Sequence, residues 1–74
     1  MKTTYIKEQK PTLKEAQELV GGYVAVIDLP DNKQMMVDEE GLLKRKEINR
    51  EASAIAGQVI VGDAVVLSEK ARWQ

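Results

Sequence analysis

The segment PTLKEAQELVGG, residues 11–22, carries both a start and a stop for one short helix, and it runs straight into strand-forming sequence. Thr12 and Glu15 have the spacing of a capping box: the hydroxyl accepts from an unpaired backbone N–H and the glutamate reaches back. Leu13, Ala16, Leu19 and Val20 recur at helical spacing as one apolar stripe. Gly21 and Gly22 supply the left-handed conformation that ends a helix. Lys14 and Glu18 form an (i, i+4) pair on the outer side. The next stretch, YVAVIDL (23–29), is β-branched and apolar, and it reads as a strand buried on both faces for most of its length. PDNK (30–33) is a turn, with proline where its fixed φ fits. QMMVD (34–38) returns as a second strand, completing a hairpin.

The second half is less regular. EEG (39–41) breaks the strand. In LLKRKEI (42–48) the two leucines are expected to pin the link to the core, with residues 44–47 solvated. NREASAIAG (49–57) reads as a second helix, with Asn49 as N-cap, Glu47 and Glu51 at its positive end and Gly57 as its stop. Ala52, Ile55 and Ala56 form its buried face. QVIVGDAVVLS (58–68) holds two apolar runs divided by Gly62-Asp63, which either turn a tight hairpin or kink one bent strand. Residues 1–10 form an arm or an edge strand, with the arm preferred, and residues 69–74 are a polar tail anchored by Trp73. The element order of the single domain, residues 11–68, is then helix, strand, strand, helix, strand, strand. Without strict alternation of strand and helix, this implies an α+β fold: a small antiparallel or mixed sheet of about four strands packed with two short helices.

A chain of 74 residues buries only about 60% of the surface that its unfolded form exposes, so an oligomer is an expected source of further stability. Met35 and Met36, adaptable side chains, are candidates for that interface. The sequence has no cysteine and no histidine, which removes disulfides, thiolate metal sites and the commonest general base. With 11 basic and 12 acidic residues it lacks the positive excess of a domain that grips phosphate backbones, so nucleic acid is not expected as a partner. The near balance of charge argues equally against mimicry of DNA. No apolar run approaches the ~20 residues that span a bilayer, and the N-terminus lacks a signal-peptide core, so a soluble, cytoplasmic protein is expected and no membrane partner.

Several stretches, GGYVAVIDLPDNKQMMVDEEGLLKRKEIN, then ASAIAG, then VIVGDAVVL, resemble a family of small uncharacterised domains found in bacteriophages and mobile elements. That family pattern is a helix ending in V-G-G-Y, a strand, a turn, a strand ending in E-E-G, a short link to an asparagine and a final I-x-G-D strand. The resemblance spans residues 12–67. The link here, Lys44-Arg45-Lys46-Glu47, is more charged than the Gly-Leu-Pro that is frequent in the family. What the resemblance implies is a context: a phage-type accessory protein made inside an infected cell.

Candidate chemistry is sparse. Asp38, Glu39 and Glu40 offer oxygen ligands to a divalent ion, but neighbouring residues on a strand face opposite ways and no EF-hand spacing is present, so a solvated acidic turn is preferred and no metal is expected. Asp28 and Asp63 do not converge on spacing alone, and no nucleophile–base pair is visible, so neither an enzyme nor a cofactor is expected. Asn49 at a helix start, with Arg50 after it and Lys44, Arg45 and Lys46 before it, has the makings of an anion site, since free N–H groups and guanidinium both suit phosphate. The competing account of Asn49 is simple capping. Tyr23 offers a π-face to a base, against a structural place in the core or an interface. The ligand set read from the sequence is Asn49, Arg50, Arg45, Lys44 and Tyr23. The first functional expectation is a homo-oligomer that binds a small anionic, nucleotide-like ligand and so sequesters a host defence signal. The alternative is a module that binds and redirects a host protein through its charged link or an exposed sheet edge.

Overall fold

The computed structural model describes residues 1–73; Gln74, the end of the expected tail, lies outside them. The elements run β1 (Thr3–Ile6), α1 (Leu13–Val20), β2 (Val24–Leu29), β3 (Lys33–Asp38), α2 (Arg50–Ala56), β4 (Ala64–Leu67) and a short 3-10 turn at Glu69–Ala71. The four strands form one mixed sheet in the order β1-β4-β3-β2. β1 lies parallel to β4, and the other neighbours are antiparallel. β1 and β2 therefore run the same way on opposite edges, and α1 crosses one face of the sheet to join them.

Both helix boundaries follow the chemistry of their ends. Thr12 accepts from the Glu15 N–H at 3.1 Å, and Glu15 accepts from the Thr12 N–H at 2.8 Å. Gly21 closes α1 in the left-handed conformation at φ 84°. Asn49 caps α2 and Gly57 ends it at φ 71°. In the hairpin, Asp31 and Asn32 both take positive φ, a conformation that short polar side chains tolerate.

Alternation along β3 and β4 divides the core in two. Met36, Val65 and Leu67 pack with Ala16, Val20 and Leu19 beneath α1. Met35, Val37, Ala64 and Val66 pack with Ala52, Ile55 and Ala56 beneath α2. The sheet is thus covered on both faces. Met35 and Met36 are fully buried at the centre of the two layers, which corrects their expected place at an oligomer interface. Trp73 anchors the tail as expected: its indole N–H donates to Pro11 O at 3.1 Å, and Gln34 exchanges two hydrogen bonds with its backbone.

Four further expectations change. The first residues form the edge strand rather than the arm, because β4 offers them a parallel partner in register Thr3↔Ala64 to Ile6↔Leu67. β2 is half-buried rather than buried on both faces, since it is the opposite edge strand. Residues 58–61 are neither a hairpin arm nor part of a bent strand. Only Val61 bridges, to Ile48, while the neighbouring bonds run from Asn49 N–H to Ile60 O and from Gly62 N–H to Glu47 O. Leu13, placed in the buried stripe, is exposed at the first turn of α1, ahead of the part of the helix that meets the sheet.

Candidate functional site

The 39–48 link is tied to the body of the protein by a cluster of polar contacts. Asp38 ends β3 two residues after Met36, so its side chain faces α1. It is 5% exposed, against the expectation of a solvated acidic turn. Lys44 and Lys46 both reach the same carboxylate oxygen, Oδ2, at 2.8 Å. The other oxygen accepts from the Glu40 N–H at 2.9 Å. The lysines go further: Lys44 donates to Gly21 O at 3.1 Å and Lys46 to Val20 O at 2.9 Å. These carbonyls belong to the end of α1, whose own last turn has no basic residue. A helix end leaves carbonyls without partners and carries partial negative charge. The two ammonium groups supply both the donors and the counter-charge, and so tie the link to α1 and β3 together. Burial pushes the Asp38 carboxyl up, but the bonds from Lys44 and Lys46 and the Glu40 N–H outweigh it and hold it at about 2, below its ordinary 3.8.

Gly22 makes this approach possible. A Cβ there would stand 2.5 Å from Lys44 Nζ and 2.8 Å from Asp38 Oδ1. One glycine suffices to end the helix, so the second glycine of the pair is explained by the clamp.

The clamp fixes the link in a tight loop. The N–H groups of Gly41, Lys44, Arg45 and Lys46 bond within it, to Asp38, Glu40, Leu42 and Gly41 carbonyls respectively. Leu42 and Leu43 sit on its outside, 77% and 81% exposed, which overturns their expected role as pins to the core. With residues 41 and 46 drawn to the body of the protein, the loop's crown has nowhere to point but outward. Val59 is exposed nearby and lines a shallow hollow of about 140 Å³ with Leu42, Ile27 and Val61. Of residues 44–47, expected to be solvated, Lys44, Arg45 and Glu47 are exposed and Lys46 is half-buried, while the ammonium groups of both lysines are engaged in the clamp.

The five residues of the expected ligand set are not gathered into one pocket. Tyr23 and Lys44 share a groove of about 270 Å³ with Gln17, Gly22 and Glu40. Arg45, at positive φ, and Arg50 are exposed and do not line that groove. Asn49 is 1% exposed and its amide is used internally. Its oxygen accepts from Ala52 N–H at 3.0 Å and Thr3 Oγ1 at 3.2 Å, and its nitrogen donates to Gly62 O at 3.0 Å and Lys2 O at 3.3 Å. Capping is the part of the expectation that its geometry matches, extended by bonds to β1 and to the turn before β4. Tyr23 is exposed rather than part of the core.

The carboxylates considered for acid–base work lie apart. Asp28 is on the β2 edge, and Asp63 accepts from Lys2 N–H at 2.9 Å beside the β1 edge. Tyr5 donates its hydroxyl to Glu51, linking β1 to α2, and that bond holds the phenol proton and raises its pKa. Among the described residues there is no group of three or more carboxylates positioned to hold a metal ion, and no helix long and apolar enough to cross a membrane.

The clamp is not legible in the sequence because its partners are six and eight residues apart across an irregular loop, where no periodicity applies. The signal that was available is the doubled glycine followed by an acid at a strand end. No curated protein and no solved structure matches the chain. The residues of the clamp, with the glycines around it, lie inside the stretch that resembles a family of small domains, and the family comparison covers nearly the whole chain: it belongs to the family described as Domain of unknown function (DUF3846), whose model matches residues 1–73.

Proposed function

We propose that the domain is a non-enzymatic accessory module that engages a partner protein through the crown of the 39–48 loop. The observation that carries this reading is a pair of large apolar side chains, Leu42 and Leu43, held almost wholly in solvent by a loop anchored through a buried carboxylate. Two adjacent leucines gain nothing for the fold in that position. An apolar pair on an anchored support, flanked in sequence by the exposed Glu39, Glu40, Arg45 and Glu47, has the composition of an interface centre with a polar rim. The occupant it fits is a protein with an apolar cleft. In the phage-type setting that the sequence resemblance implies, that partner is a host protein and the module acts in the host cytoplasm.

The test compares the wild type with Leu42→Ser/Leu43→Ser in pull-downs from a bacterial lysate. The double variant is expected to keep its stability within about 0.5 kcal/mol, as surface changes do, and to lose a partner that the wild type recovers in stoichiometric amount. Recovery of the same partner by both proteins, or no partner for either, would overturn the reading.

The small-anion reading is favoured by a separate observation, the groove shared by Tyr23 and Lys44. Native mass spectrometry with a nucleotide mixture tests it. A discrete adduct on the wild type that is lost in Tyr23→Ala supports a ligand there, and an unadducted wild type counts against it.

A further inference from the structure

The two edges of the sheet are built differently. β1 is four residues long and lies between Lys2 and Lys7, and shortness and flanking lysines are both devices that keep an edge from pairing with another chain. β2 is six residues long. Its first four positions, Val24, Ala25, Val26 and Ile27, carry no charge, and no residue in it is buried. The Glu39 N–H donates to Tyr23 O at 2.8 Å. With the register Val24↔Asp38, Val26↔Met36 and Asp28↔Gln34, the alternation of an antiparallel ladder then turns the N–H and C=O groups of Val24, Val26 and Asp28 toward the open edge. Val26 and Tyr23, 43% and 64% exposed, stand beside these groups.

We propose that a second copy of this chain occupies this edge, with the two β2 strands paired antiparallel about a two-fold axis through Val26, so that the two sheets become one. The strand's own sequence specifies that occupant and that register. Pairing Val26 with its symmetry mate is the arrangement that engages all three outward-facing residues at once, because Val24 then exchanges bonds with the partner's Asp28, and the reverse. On the other face Ala25 meets the partner's Ile27, a small side chain against a large one, twice over by symmetry. Asp28, the strand's only charge, faces a valine rather than its own mate, and the two carboxylates stand roughly 13 Å apart along the strand direction. Like charges therefore do not meet, and the apolar part of the edge is covered by the apolar part of its copy. The proposal is independent of the Leu42–Leu43 surface, which a dimer would present twice.

The chain contains no cysteine, so a single introduced one reports on a single distance. In the proposed register the Cα atoms of Val26 and its mate are about 5.5 Å apart, within disulfide range, whereas those of Asp28 are far outside it. Sedimentation of the wild type is expected to show a dimer. Mild oxidation is expected to cross-link Val26→Cys at least roughly tenfold faster than Asp28→Cys, as the geometric limits on a disulfide require. Val26→Lys is expected to sediment as a monomer with an unchanged circular dichroism spectrum. A monomeric wild type would overturn the second copy as occupant and leave the edge to a foreign strand. Equal cross-linking of the two cysteine variants would overturn the register.

Discussion

Asp38 and Gly22 show how a single position can be decided by a neighbour far away in sequence. The carboxylate is buried, which by itself disfavours its charge, and it is tolerated because two ammonium groups and a backbone N–H converge on it. Gly22 keeps the space they need. Gly22→Ala is expected to cost about 1–3 kcal/mol, the range for forcing extra volume into a packed site, because the new methyl displaces Lys44 from Asp38. Urea denaturation measures it, and a change under 0.5 kcal/mol, ordinary for an uninvolved surface position, would show that the clamp has room to spare. At this scale the sequence was partly legible. The capping pair Thr12 and Glu15 and the left-handed stop at Gly21 were readable because their chemistry is local. The places of Asp38, Lys46 and the two leucines were not, because they depend on where β3 and α1 end relative to each other.

The elements differ in how much they depend on their own ends. α1 is capped locally, so Thr12→Ala should cost about 1 kcal/mol, the usual value for loss of an N-cap side chain. Asn49 begins α2 but also holds Gly62 and Lys2, so its loss strands the buried Ala52 N–H and Gly62 O, while Lys2 O keeps its bond from the Ala64 N–H. Asn49→Ala is expected to cost about 2–4 kcal/mol, more than a cap alone, since each unsatisfied buried polar group carries a penalty of about 1–3 kcal/mol. Thermal melts of the two variants side by side give the comparison, and equal losses would reduce Asn49 to a cap. α1, α2, β2 and β3 were legible from period and punctuation. The VIV run at 59–61 was not, because an apolar run suggests burial without saying what it pairs with, and here only Ile60 is buried. Here the partner is the link ahead of α2, and the sheet position beside β3 goes to β4. The parallel docking of β1 was equally hidden, since residues 1–10 carry no pattern of their own.

At the scale of the whole molecule, the two faces of the sheet are closed by two short helices, and an acidic group buried against one of them makes stability depend on pH. The folded-state pKa of Asp38 lies below its ordinary value, so the unfolded chain binds this proton more readily. Its contribution is therefore complete above about pH 4 and is lost as pH falls toward 2. The gap between about 2 and 3.8 corresponds to about 2 kcal/mol. Asp38→Asn is expected to lower stability by about that amount at pH 7, and to flatten the fall between pH 4 and pH 2 by the same amount. Denaturation at a series of pH values reads both. A variant whose acid fall matches the wild type would place the transition in other groups. The outward presentation of Leu42 and Leu43 depends on the clamp holding the 39–48 loop rigid. Native-state hydrogen exchange tests that dependence most directly. The amides of Gly41, Lys44, Arg45 and Lys46 should be protected in the wild type and exposed in Asp38→Asn, while those of β3 and β4 stay protected in both. Exchange of the loop amides at free-peptide rates in the wild type would contradict it.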